Sequence, residues 1–176
     1  MNKLAVVIPL TLALVAPLSA GKSETLVRFK GGIGVQPVLN VVGPVNQDGT
    51  FPNVSRNIVR GVNPAGPWRI AALRAEVESN GRIQVNGRGL LLAAGNRIGQ
   101  NGDQRVFATL ICEAAAPFVE RSSAFTGVAL EPNGDFEIDD VLDSIPTSCP
   151  SPVLLIRAAS NGTWFAAGIQ QIDEED

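Results

Sequence analysis

Hydrophobic and polar residues alternate most regularly between Leu73 and Leu92. Leu73, Ala75 and Val77 interleave with Arg74, Glu76 and Glu78, and after Ser79-Asn80-Gly81, Ile83 and Val85 interleave with Arg82, Gln84 and Asn86. A strict period of two marks strands with one buried face. A two-residue Asn-Gly loop would set apolar against polar side chains. A three-residue loop with Gly81 left-handed instead opposes Val77 to Ile83, Ala75 to Val85 and Glu78 to Arg82. The faces then agree and the closing pair has opposite charge, so this register is the one expected. The alternative is a helix running from Pro67 to an Asn80-Gly81 stop, with Ile70, Leu73 and Val77 on one face. Alternation fits the segment better.

The remaining pattern is also that of strands. Thr25 to Lys30 alternates, and Gly31-Gly32-Ile33-Gly34 reads as a loop or bulge. Val35 to Val42 resumes strand character around Pro37, an edge position. Residues 43–57 form a turn-rich loop, Asn57 to Gly61 a short strand, and Asn63 to Pro67 a turn. Gly87 and Gly89 interrupt the second arm of the central hairpin as a bulge would. Arg105 to Glu113 is apolar on both faces and is placed centrally. A second hairpin is read around Pro132-Asn133-Gly134, with Leu130 opposite Phe136 and Val128 opposite Ile138. A third surrounds Ser160-Asn161-Gly162. The flanks of the three turns do not align as repeats. The expectation is an all-β fold, one antiparallel β-sandwich or barrel built from hairpins over residues 21–172.

The ends read differently. Lys3, the apolar run Leu4 to Val15 and Pro17-Leu18-Ser19-Ala20 have the layout of a secretory signal over residues 1–20. The run is short for a membrane anchor and contains Pro9 and Pro17. No later stretch is long and apolar enough to span a bilayer, so no integral span is expected after cleavage, and secretion to a periplasmic or extracellular space follows. Residues 173–176 (DEED) form an acidic tail.

Charge adds polarity along the chain. Residues 21–130 carry 12 basic and 7 acidic side chains, and residues 131–176 carry 1 and 10. This asymmetry fits head-to-tail self-association or cation binding and disfavours nucleic acid as a partner, with two solvated faces as the preferred, simpler reading. Cys112 and Cys149 are the two cysteines. In an exported chain they are expected to form a disulfide, stabilising by about 4 kcal/mol in the chain-entropy model.

Candidate chemistry is narrowed most by absence. The chain has no His and no Tyr, which removes Ser-His-Asp and Cys-His nucleophilic systems and His-ligated metal centres. Glu131, Asp135, Glu137 and Asp139 would share one face of the second hairpin, where a hard cation such as Ca²⁺ would relieve their repulsion, with Asn133 as an added carbonyl. The competing reading is a solvated acidic face that discourages edge pairing. The same carboxylates, with Glu113 or Glu120, are candidates for a glycosidase-like acid/base pair. Gly95, Gly99 and Gly102 lack the Gly-Lys-Ser/Thr of a phosphate loop, although Arg97 and Arg105 make that loop a contact surface for an anionic partner. Trp68 and Trp164 would stack on sugars if exposed, but core packing is preferred, Trp164 against Ala158 or Ala159. Asn53 and Asn161 match glycosylation acceptors. Taken together, the sequence favours an exported, non-catalytic binding module for a protein or carbohydrate ligand, presenting loops 43–57 and 95–104. The alternatives are a carboxylate-dependent hydrolase centred on Glu131–Asp139 and a self-assembling envelope or extracellular subunit.

Overall fold

The computed structural model describes residues 23–36, 40–41, 46–49, 54–55 and 57–172. Among these residues there is no helix. The strands are β1 (Thr25–Gly34), β2 (Asn40–Val41), β3 (Val54–Ser55), β4 (Trp68–Arg69), β5 (Ala72–Glu78), β6 (Arg82–Arg88) and β7 (Leu91–Leu92), followed by β8 (Arg105–Ile111), β9 (Arg121–Ser122), β10 (Val128–Ala129), β11 (Phe136–Val141), β12 (Val153–Ala158) and β13 (Trp164–Gln170). Most belong to one antiparallel sheet in the order β10-β8-β12-β13-β1-β5-β6-β11, with β9 also paired to β8. The edge strands β10 and β11 are joined by the turn at 130–135, so the sheet curls on itself into a nearly closed barrel. The stretches 1–20 and 173–176, and most of 43–57 with Asn53, lie outside the described residues.

Local chemistry explains the central hairpin. Val77 faces Ile83 and Ala75 faces Val85. Gly81 takes φ +87° and donates its N–H to Glu78 O, while Asn80 Oδ1 accepts from the Arg82 N–H at 2.8 Å. The expected three-residue turn is present, and every second side chain of β6 is buried. β1 runs on through its glycines as one strand. Its register shifts between Phe29 and Gly32, and Gly31 has φ +96°, so the Gly-rich run is a bulge.

The second hairpin differs from expectation. Its turn forms, with Gly134 N–H donating to Glu131 O and Asp135 N–H to Asn133 Oδ1. Its arms then part: β10 pairs with β8 and β11 with β6, so Ile138 opposes Val85 rather than Val128, and Phe136 opposes Gly87 rather than Leu130. Gly87 explains the choice. A Cβ there would lie 2.1 Å from the Phe136 ring, so only glycine lets that ring seat on β6. Across the seam, side chains replace the missing ladder. The Asp140 carboxylate accepts the Ala124 N–H at 2.8 Å and Asp143 accepts that of Ser122 at 3.0 Å. The third hairpin forms with an irregularity beside Arg157, which opposes Trp164.

The core is fullest around β8, β12 and β13, where consecutive residues such as Leu154, Leu155 and Ile156 are all fully buried. β8 is central, as expected, between β12 and the pair β9 and β10. Residues 57–68 lie along β13: Trp68 stacks on Phe165 with ring centroids 4.1 Å apart, and Trp164 Nε1 donates to Asn57 O. Neither indole is available for sugar stacking, since both are buried. Cys112 and Cys149 form the disulfide, which ties the end of β8 to the loop before β12. Beside it, Arg60 donates to Ile111 O and to Ser151 Oγ.

Candidate functional site

The acidic hairpin distributes its carboxylates among different partners. Asp135 turns inward to accept the Gly89 N–H at 2.9 Å. Asp139 points outward from β11 into a two-point contact with Arg82, whose Nε and Nη2 lie 3.2 and 3.0 Å from its oxygens. The hydrogen bond from Arg82 holds the Asp139 carboxyl below its ordinary range. Glu131 is exposed at the turn and Glu137 is exposed two residues before Asp139. Among the described residues, no group of three or more His, Cys, Asp or Glu side chains is placed to hold a metal ion.

The other sequence candidates have structural partners. Glu113 accepts from Arg121 at 2.9 Å and from the Val119 N–H at 3.1 Å. Burial pushes its carboxyl up, but these bonds, one to its own backbone and the Arg121 charge together outweigh it and hold the group below its ordinary value. Glu120 pairs with Arg157, whose guanidinium lies over Phe107. In the 95–104 loop, Arg97 contacts Asp103 and Gln100, and Asn101 donates to the carbonyls of Leu130 and Glu131. Arg105 donates to Thr126 and Gly127 carbonyls. These bonds tie the loop to the barrel end, while residues 95–100 remain exposed. Asn161 caps its own turn by accepting the Thr163 N–H.

An open concave surface lies elsewhere, on the outer face of β1, β5, β6 and β11. There the polar members of the alternating strands line an open cradle of about 450 Å³. Two cross-strand rows build it. Lys30 stands opposite Arg74, Arg74 opposite Asn86 and Asn86 opposite Glu137. One step along, Arg28 stands opposite Glu76, Glu76 opposite Gln84 and Gln84 opposite Asp139. The second row is neutralised by ion pairs, Arg28 to Glu76 at 3.3 Å within it and Arg82, from the next outward position along β6, to Asp139. The first row places two cations side by side, and among the described residues neither Lys30 nor Arg74 forms an ion pair.

No family model, curated protein or solved structure matches the chain. Any functional reading therefore comes from the geometry. Of the residues singled out in the sequence, Glu137 lines the cradle and Asp139 closes its second row; Asp135, Glu113, Glu120 and the 95–104 loop do not take part. Lys30, Arg74, Asn86 and Gln84 are brought together only by the sheet pairing. The signal was the polar phase of the alternation, but β1 meets β5, and β11 meets β6, only through long connections that no turn rule specifies. No helix among the described residues is long and apolar enough to cross a membrane.

Proposed function

We propose that the chain is an exported, non-catalytic binding protein whose ligand rests in the cradle on the outer face of β1, β5, β6 and β11. The observation that carries this is the first row: two directly opposed cations without ion-pair partners, on the floor of an open concavity. Like charges across a strand pair oppose folding, so a sheet that keeps them is consistent with a ligand that compensates them. The disulfide supports an oxidising compartment, in keeping with the signal-like residues 1–20. A hydrolase is less well supported. The outward carboxylates Glu137 and Asp139 stand two residues apart on β11, about 7 Å by strand geometry, but Glu137 is exposed, without the burial that tunes a general acid, and Asp139 is held by Arg82.

A thermal-shift screen tests the reading. Oligosaccharides, amino acids and nucleotides are assayed against the wild type and against Lys30→Gln/Arg74→Gln/Asn86→Ala. At least one compound should raise the melting temperature of the wild type and leave the triple variant unmoved. Equal shifts in both proteins, or none in the wild type, would refute a binding role for this surface.

A further inference from the structure

Resting on that reading, we infer that the cradle takes an acidic saccharide, its carboxylate or sulfate seated between Lys30 and Arg74 and its hydroxyls on Asn86, Gln84 and Glu137. The direct opposition of Lys30 and Arg74 makes a focus of positive charge with a planar guanidinium fork on one side and a mobile ammonium on the other. That combination suits a multi-oxygen anion. Along the same row the chemistry changes from cation to amide to carboxylate. Asn86 offers both donor and acceptor atoms, and Glu137 offers acceptors only, which match hydroxyl groups. Arg74 and Glu137 are two strand spacings apart, about 10 Å, a span that a disaccharide covers.

The floor also speaks against other occupants. Phe29, Ala75, Val85 and Ile138 border the cradle, but they are buried in the core. The outward side chains are polar and provide no stacking platform. A neutral sugar lacks its usual aromatic partner here, and a lipid or apolar peptide has nothing to bury against. Glu76 and Glu137 stand on the same surface as the cations and would repel an extended polyphosphate, which disfavours nucleic acid. A short ligand with one anionic end and a hydroxyl-rich body meets every group in the row.

The test uses three acidic probes, digalacturonate, 3′-sialyllactose and a sulfated chondroitin disaccharide. Each is paired with its neutral counterpart: the methyl ester, lactose and the unsulfated methyl ester. Titration calorimetry on the wild type gives affinity, and amide chemical shifts give the place. At least one acidic probe should bind at least about tenfold more tightly than its counterpart, and weaken in about 0.5 M NaCl as a charge contact must. Its perturbed amides should cluster at residues 28–30, 74–76 and 84–86. Lys30→Gln/Arg74→Gln should lose that binding while unfolding at or above the wild-type temperature, since it removes opposed like charges, and the charge-keeping Lys30→Arg should retain it. If neutral and acidic members bind equally at those amides, the acidic assignment falls and the binding reading stands. If the thermal-shift screen yields a cradle ligand but no acidic probe binds, the outcome is the same. Binding that maps elsewhere, or that survives the double substitution, overturns the assignment as well.

Discussion

Two halves of the same barrel use the strand period differently. In β8, β12 and β13 the alternation disappears: Val106 through Ile111 are buried in succession, as are Leu154 through Ile156 and Trp164 through Ala166. Their outer face is covered by other chain. Phe125 meets Phe107 edge-on at 5.1 Å, Ser122 Oγ lies 2.8 Å from Thr109 Oγ1, and Trp68 stacks on Phe165. In β5 and β6 the alternation is complete, and nothing among the described residues covers the polar phase. One half is a core with two sides, and the other is a wall with one. The difference teaches where surface chemistry is free to exist. Only the uncovered wall can hold charged side chains in rows without burying them.

The comparison is most easily broken by truncating side chains on either side of it. Leu155→Ala, in the covered half, should destabilise by about 2 to 5 kcal/mol. Gln84→Ala, on the cradle floor, should stay within about 0.5 kcal/mol of the wild type. Urea denaturation of both variants measures the contrast, and similar midpoints would mean the two halves are not distinct. A smaller effect is expected at their junction with the acidic strand. Gly87→Ala would drive a methyl into the Phe136 ring and should cost about 1 to 3 kcal/mol by overpacking. Adding Phe136→Leu should recover part of that loss; no recovery would locate the strain elsewhere.

The smallest effect concerns acid. Asp139 and Glu113 both have carboxyls held below their ordinary values. In the window between folded and unfolded values the unfolded chain binds more protons. The stability each adds is therefore complete above the usual carboxylate range, about pH 4, and is lost as pH falls through the lowered folded value. The Arg121–Glu113 side chains are 14% and 26% exposed, against 46% and 51% for Arg82–Asp139. Solvent screens the second pair more. Glu113→Gln should flatten the acid limb of a stability–pH curve more than Asp139→Asn does. The reverse order would show that hydrogen-bond geometry, rather than cover, decides the matter.

Short-range features were legible in the sequence. The 79–81 turn and its register followed from the phase of Leu73 to Val85, because only one loop length aligned the faces. The disulfide followed from there being two cysteines. The turn at 132–134 was legible too, yet the pairing of its arms was not. Phe136 seats on Gly87 and β10 goes to β8, and both are encounters between segments distant in sequence. The cradle was hidden for the same reason: Lys30 and Arg74 become neighbours only once β1 meets β5. The alternation predicted a polar face without saying which polar residues it would bring together. Asp135 and Asp139 appeared as members of one cluster because their partners, the Gly89 N–H and Arg82, are distant in sequence.

The position of β1 between β13 and β5 also constrains the timing of folding. The first strand of the sheet needs the last, so the barrel cannot be completed until residue 170 has left the ribosome. At about 5 to 20 residues per second, the stretch from Gly34 to Trp164 takes on the order of ten seconds to synthesise. Throughout that interval β1 lacks the partner that covers one of its two edges. A sheet of this topology, whose pairings are largely non-local, is slow to form.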